Sequence, residues 1–124
     1  MANPNIVNVT SIYGNTSYLI PSTTGATTWT ALTPAVGTVN KVNSVVASNV
    51  TGSAVAVTVS INSATGGGGT AYRVAYQISV PANASLIVVD KTTCMYVGEG
   101  QSIVVTVGTS NAIELTASYE ALTS

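Results

Sequence analysis

The stretch AYRVAYQISVPANASLIVVD (residues 71–90) decides how this chain is read. In its first half Tyr72, Val74, Tyr76, Ile78 and Val80 alternate with Arg73, Ala75, Gln77 and Ser79, the two-residue period of a half-buried β-strand. Pro81-Ala82-Asn83-Ala84 reads as a turn, and residues 86–90 form a short, almost wholly apolar run. The pattern predicts two strands at the middle of an antiparallel sandwich, with the Tyr72, Val74, Tyr76, Ile78, Val80 face in the core.

The same alternation continues outward in both directions. Upstream, residues 39–50 alternate Val42, Ser44, Val46 and Ser48 with Asn43, Val45, Ala47 and Asn49, and Thr51-Gly52-Ser53 ends the run. Val55, Val57, Val59 and Ile61 then share one face of a strand, with Ala56, Thr58 and Ser60 on the other. Gly66, Gly67, Gly68 and Gly69 follow, four residues without side chains to pack, which predicts a mobile hairpin tip able to touch a neighbouring molecule. Downstream come a short strand at residues 94–97, a turn at Gly98-Glu99-Gly100, a strand at 102–107 with Ile103, Val105 and Val107 inward, and a strand at 112–121. In the last, Ile113, Leu115, Ala117 and Tyr119 face one way and Glu114, Thr116, Ser118 and Glu120 the other.

Residues 1–38 break this regularity with Pro4, Pro21, Pro34 and the polar cluster at 22–28. Proline removes a ladder donor and confines strands to edges, so only short strands near 16–20 and 28–32 are expected. This third reads as an N-terminal arm or as edge strands laid on the body, anchored by Tyr13, Tyr18 and Trp29. The expected architecture is therefore all-β: a single antiparallel β-sandwich of about seven to eight strands over residues 39–124, with an irregular arm at 1–38. An immunoglobulin-like order and a jelly roll would both thread these strands.

Composition narrows the function. The 124 residues suit one domain able to bury a core without staples. Charged residues are 6% of the chain, namely Lys41, Arg73, Lys91, Asp90, Glu99, Glu114 and Glu120, and the net charge of −1 gives no basis for nucleic-acid binding. No apolar run approaches the roughly 20 residues of a membrane helix, and no membrane partner is expected. The beginning, Met1-Ala2-Asn3-Pro4, lacks the positive and apolar regions of a secretory signal, and Cys94 stands alone, so synthesis in a reducing cytoplasm is the expectation.

The chain has no His, which removes the imidazole base of a serine triad and most zinc sites. Asp90 and Glu99 bracket what reads as one hairpin and would be the start of a carboxylate pair or a calcium site, but calcium takes six or more oxygens, and acidic residues at turns ordinarily accept backbone hydrogen bonds. Gly66–Gly69 lacks the helix N-terminus and lysine of a phosphate loop. Tyr72 and Tyr76 would suit a sugar-binding platform, against which stands the core reading of their face. No enzyme activity, cofactor or metal is expected.

What replaces charge is the more informative feature. The outward positions of a monomeric sandwich usually carry Lys and Glu, which keep sheets from pairing with other chains. Here Ala, Thr, Ser and Asn stand there. A hydroxyl with a partner is buried at far less cost than a charge, so much of this surface is expected to be covered by copies of the chain or by a larger particle.

The segments KVNSVVASN (41–49), ISVPANASLIVVDK (78–91), YVGEGQS (96–102) and ASYE (117–120), in that order and spacing, resemble a family of small virion structural proteins of tailed bacteriophages, of the marine and cyanobacterial kind. The resemblance covers residues 39–124. Where the family's turn reads Glu-Gly-Asp-Ser, this chain has Glu99-Gly100-Gln101-Ser102, one acidic group fewer. The resemblance implies a non-enzymatic, homo-oligomeric component of a virion, assembled in the cytoplasm of an infected bacterium. Within that class it implies a capsid decoration (cement) protein bound to the major capsid protein or other virion proteins. A tail, neck or fibre-associated protein comes second, and a carbohydrate-binding module, from another class, third.

Overall fold

A computed structural model describes residues 10–123. The expected arm therefore falls partly outside the described residues, at 1–9. The strands are β1 (Ser11–Leu19), β2 (Thr27–Thr28), β3 (Thr38–Asn49), β4 (Val55–Asn62), β5 (Ala71–Val80), β6 (Ser85–Val89), β7 (Met95–Val97), β8 (Ser102–Val107) and β9 (Ile113–Thr123), with one 3₁₀ turn at Thr30–Leu32. They form two antiparallel sheets, one ordered β1-β9-β3-β6 with β7 also on β3, the other ordered β2-β8-β4-β5.

The pairings are nested. β4 pairs β5, β3 pairs β6 and β7, β2 pairs β8, and β1 pairs β9. The chain is thus one long two-stranded ribbon, its apex at the glycine loop between β4 and β5, rolled so that successive rungs fall alternately in the two sheets. Of the two orders the sequence left open, this is the jelly roll.

The expectation of an all-β sandwich holds, and its placement of residues 71–90 does not. β5 and β6 are not paired: β5 is the outer strand of one sheet and β6 lies on the outer side of β3 in the other. Pro81–Ala84 is an arch between sheets, held where the Asn83 N–H donates to the Thr51 carbonyl and the Asn49 N–H donates to the Ala84 carbonyl. The face assigned to the core overhangs the rim instead. Tyr72 and Ile78, opposite Ile61 and Val57, are 62% and 41% exposed, and only Val80 is fully covered.

The core lies where the two sheets face each other. Val57, Val59, Val105 and Ile103 from one sheet meet Val42, Val45, Leu115 and Ala117 from the other, closed by Trp29 and Leu32. In β3 the register against β9 skips Asn43, a bulge that reverses the alternation. Val42 and then Val45, Ala47 and Asn49 turn inward, so Val42 and Val46 do not share the face that strict alternation gave them.

From residue 10 on, the first third takes the second of its two expected forms, edge strands, and is built into this body. β1 pairs β9 without a break from Ser11 to Leu19, almost twice the length expected for that strand. Trp29 is buried, and its indole N–H donates to the Ser17 hydroxyl at 3.0 Å, tying the entry of the 3₁₀ turn to β1. Trp29 anchors the segment as expected. Tyr13 and Tyr18 do not, since both point to solvent.

Candidate interaction surface

Three asparagines that stand among strand residues organise the loops around the core, and nothing in hydrophobic periodicity singles them out. Asn40 donates to the Leu32 carbonyl, fixing the 3₁₀ turn. Asn49 donates to the carbonyls of Ser53 and Val80 and accepts from Thr51. Asn62 donates to the Gly67 and Gly69 carbonyls and accepts from the Ala64 and Gly69 amides. Each is buried, and a buried amide is retained only where its partners are supplied. For Asn40 and Asn49 the available signal was an amide on the inward phase of β3, whereas Asn62 lies on the outward phase of β4 with Ser60, under the glycine loop.

The Asn62 bonds change the reading of Gly66–Gly69. The glycine tract was expected to be a mobile tip, but it folds back across the outer side of its own sheet, where Thr28 donates to the Gly66 carbonyl and Ser102 to the Ala64 carbonyl. Gly67 has φ of +79°, and a Cβ there would lie 2.7 Å from Thr28 Oγ1 and 3.2 Å from Val104 Cγ2. Gly67 is glycine because backbone there must lie flat on β2 and β8, and Gly69 because a Cβ would collide with Ser63 Oγ, while Gly66 and Gly68 have open space around them. Its cover also explains why Ser60, Ser102 and Val104 are buried although they face away from the core.

The acidic residues are committed locally. Asp90 and Glu99 do not bracket a hairpin, because β6 and β7 lie end to end along β3. The Asp90 carboxylate accepts from the Thr92 hydroxyl at 2.6 Å and from the amides of Thr92 and Thr93. Those bonds, Thr92's first, hold its pKa below the ordinary aspartate value. Glu99 accepts from the Gly37 amide, closing the loop before β3. Tyr72 and Tyr76 do not make a flat platform. The Arg73 guanidinium sits 5.2 Å from the centre of the Tyr76 ring, so those two share a side of β5, and Tyr72, adjacent to Arg73, takes the other. Cys94 is half-buried.

With these groups occupied, the outer face of the β1-β9-β3-β6 sheet is the candidate surface. Strand register lays it out in rows. One row runs Tyr18, Thr116, Val46, Ile87, and its ends are 80% and 65% exposed. The next is Thr16, Ser118, Ser44, then Gly14, Glu120, Lys41, Tyr96. Ionic groups on these rows are confined to Glu120 and Lys41, and Glu120 also accepts from Asn43 at 3.0 Å. A further row, Glu114, Ser48 and Ser85, closes the other end. A broad face of hydroxyls and exposed Tyr and Ile, with charge only toward its two ends, is suited to close contact with another protein surface.

The four sheet edges differ in how they are finished. β2 is two residues long and covered by the glycine loop. The β6 and β7 edge is interrupted by the Asp90–Thr93 turn. β5 carries Arg73 and is bulged twice against β4. β1 has none of these features: nine residues, SIYGNTSYL, with no charge, proline or bulge.

The class this defines is an all-β jelly-roll domain with an uncharged open edge. Comparison of the fold with solved structures finds similarity to a chain of the giant freshwater prawn Macrobrachium rosenbergii extra small virus particle, with a TM-score of 0.43 and 15% identity over 94% of this chain and 82% of that one. A second similarity is to a chain of infectious bursal disease virus, Gt strain, with a TM-score of 0.41 and 10% identity over 93% of this chain and 31% of that one. No family model and no curated protein matches the sequence.

Proposed function

We propose that this chain is a non-enzymatic structural component of a virus particle, and within that class a decoration protein that binds the major capsid protein on the head. Jelly rolls serve capsid, lectin and cupin domains alike, so the fold by itself does not select among them. The observation that carries the reading is the middle of the outer face of the β1-β9-β3-β6 sheet, where exposed Tyr18 and Ile87 stand among hydroxyls and the charged Lys41, Glu120 and Glu114 are kept to the ends. Such a face is suited to burial under a partner. The bacteriophage resemblance of residues 39–124 supports the same class. A coat subunit that tiles the shell itself is the second reading, favoured by the open β1 edge.

Mass spectrometry of purified particles tests this. A head component is expected at on the order of hundreds of copies per particle, following the symmetry of the lattice. A few to a few dozen copies would move the protein to the tail or neck, and its absence from particles would overturn the proposal. Ile87→Lys, which places an unpaired charge on the face without touching the core, is expected to abolish particle binding and leave the fold intact.

A further inference from the structure

The geometry points to a twofold pairing of β1 with β1 of a second copy of this chain, centred on Asn15. Among the described residues this nine-residue strand is paired on one side only, which leaves the N–H and C=O groups of alternate residues, about four of each, directed at the open edge. Such an edge recruits another strand unless charge, proline, a bulge, a cover or a break prevents it, and among the described residues the other edges are bulged and charged (β5), short and covered (β2) or interrupted (β6 and β7).

The occupant follows from spacing within β1. The inward phase of the strand is fixed by Ser17, which meets Trp29, and by Leu19, which is opposite Leu115. Ile12, Gly14, Thr16 and Tyr18 therefore face outward. The two large apolar residues among them, Ile12 at 58% and Tyr18 at 80% exposure, stand three positions either side of Asn15. Antiparallel pairing about Asn15 puts Ile12 of each copy directly against Tyr18 of the other, and Gly14 against Thr16. Both apolar groups are covered at once, and no like charges meet because the strand has none. The contact is isologous, so it closes at two copies and joins the two β1-β9-β3-β6 sheets into one continuous sheet. The proposal deepens the reading of a covered surface, but it is tested on the purified chain, so it can fail while particle binding stands.

Sedimentation equilibrium of the full chain is expected to show a concentration-dependent species of twice 12.4 kDa. The double variant Gly14→Lys, Thr16→Lys sets lysine against lysine across the twofold, and Gly14→Glu, Thr16→Glu sets glutamate against glutamate; a side chain at Gly14 meets nothing within 4 Å. Each variant alone is expected to dimerise about tenfold or more weakly, and a one-to-one mixture of the two to regain dimer, as heterodimer. Asn15→Cys in a Cys94→Ser background tests the register without added charge, because residue 15 faces its own copy at disulfide distance. Oxidation is expected to trap a dimer through residue 15 and far less through Tyr13→Cys in the same background. A chain that stays monomeric at all concentrations, a dimer unaffected by the lysine pair, or cross-linking indifferent to position would overturn the proposal.

Discussion

β1 and β5 are the long outer strands of the two sheets, and they are finished in opposite ways. β5 is bulged twice, holds Gln77 at φ of +48° with its amide bonded to the Thr58 hydroxyl, and projects Arg73 over Tyr76. β1 is straight in register, uncharged and unbulged. A bulge twists the ladder out of the plane a new strand would need, and an arginine on an edge must be desolvated before anything can pair there. The difference teaches that this molecule guards one long edge and leaves the other open, although both belong to one charge-poor chain.

The largest effect is expected where β1 is tied to the core. Trp29→Ala removes a buried indole and its bond to Ser17, and should cost about 3–5 kcal/mol in denaturant unfolding. If β1 were a loose arm, the first of the two forms expected for this segment, the loss would be far smaller. Deletion of residues 1–33, which takes β1, β2 and Trp29, should for the same reason leave no cooperative transition.

Gly67→Ala comes next. It adds a Cβ at positive φ against Thr28 and is expected to cost about 1–3 kcal/mol, with loss of order in the glycine loop and at β2. An unchanged midpoint would restore the picture of a free tip. Thr58→Val, which removes the acceptor of the Gln77 amide, should cost about 1 kcal/mol and speed hydrogen exchange at Gln77 more than anywhere in β1.

The smallest effect is the acid limb of stability at Asp90. Its pKa is depressed in the folded chain, so its contribution is fully present above the ordinary aspartate value and is lost as pH falls through the lower folded value. Asp90→Asn should flatten that limb by lowering stability slightly near neutral pH, the difference from the parent chain vanishing at low pH. An NMR titration placing Asp90 at the ordinary value would refute the assignment.

Strand positions were largely legible in the sequence. Residues 102–107 were read as a strand and are one, and the run from Val55 extends one residue beyond Ile61, because alternation against turn residues is a local signal. What alternation cannot carry is the partner of each strand. Pro81-Ala82-Asn83-Ala84 looks the same whether it closes a hairpin or arches between sheets, and that choice alone moved residues 71–90 from the centre to the rim. The bulge at Asn43 was equally silent, since the valines on either side of it suit both phases. Of the residues expected to make contacts, Trp29 is core, and Tyr13 and Tyr18 are exposed on the open strand. The glycine tract is spent on its own sheet, a role written in the neighbouring Asn62 and Ser63 rather than in the glycines.

Amide hydrogen exchange measured at rising concentrations of the purified chain compares the two edges most directly. The account predicts that the amides on the open side of β1 slow with concentration while those of β5 do not. Equal, concentration-independent exchange along both strands would contradict it.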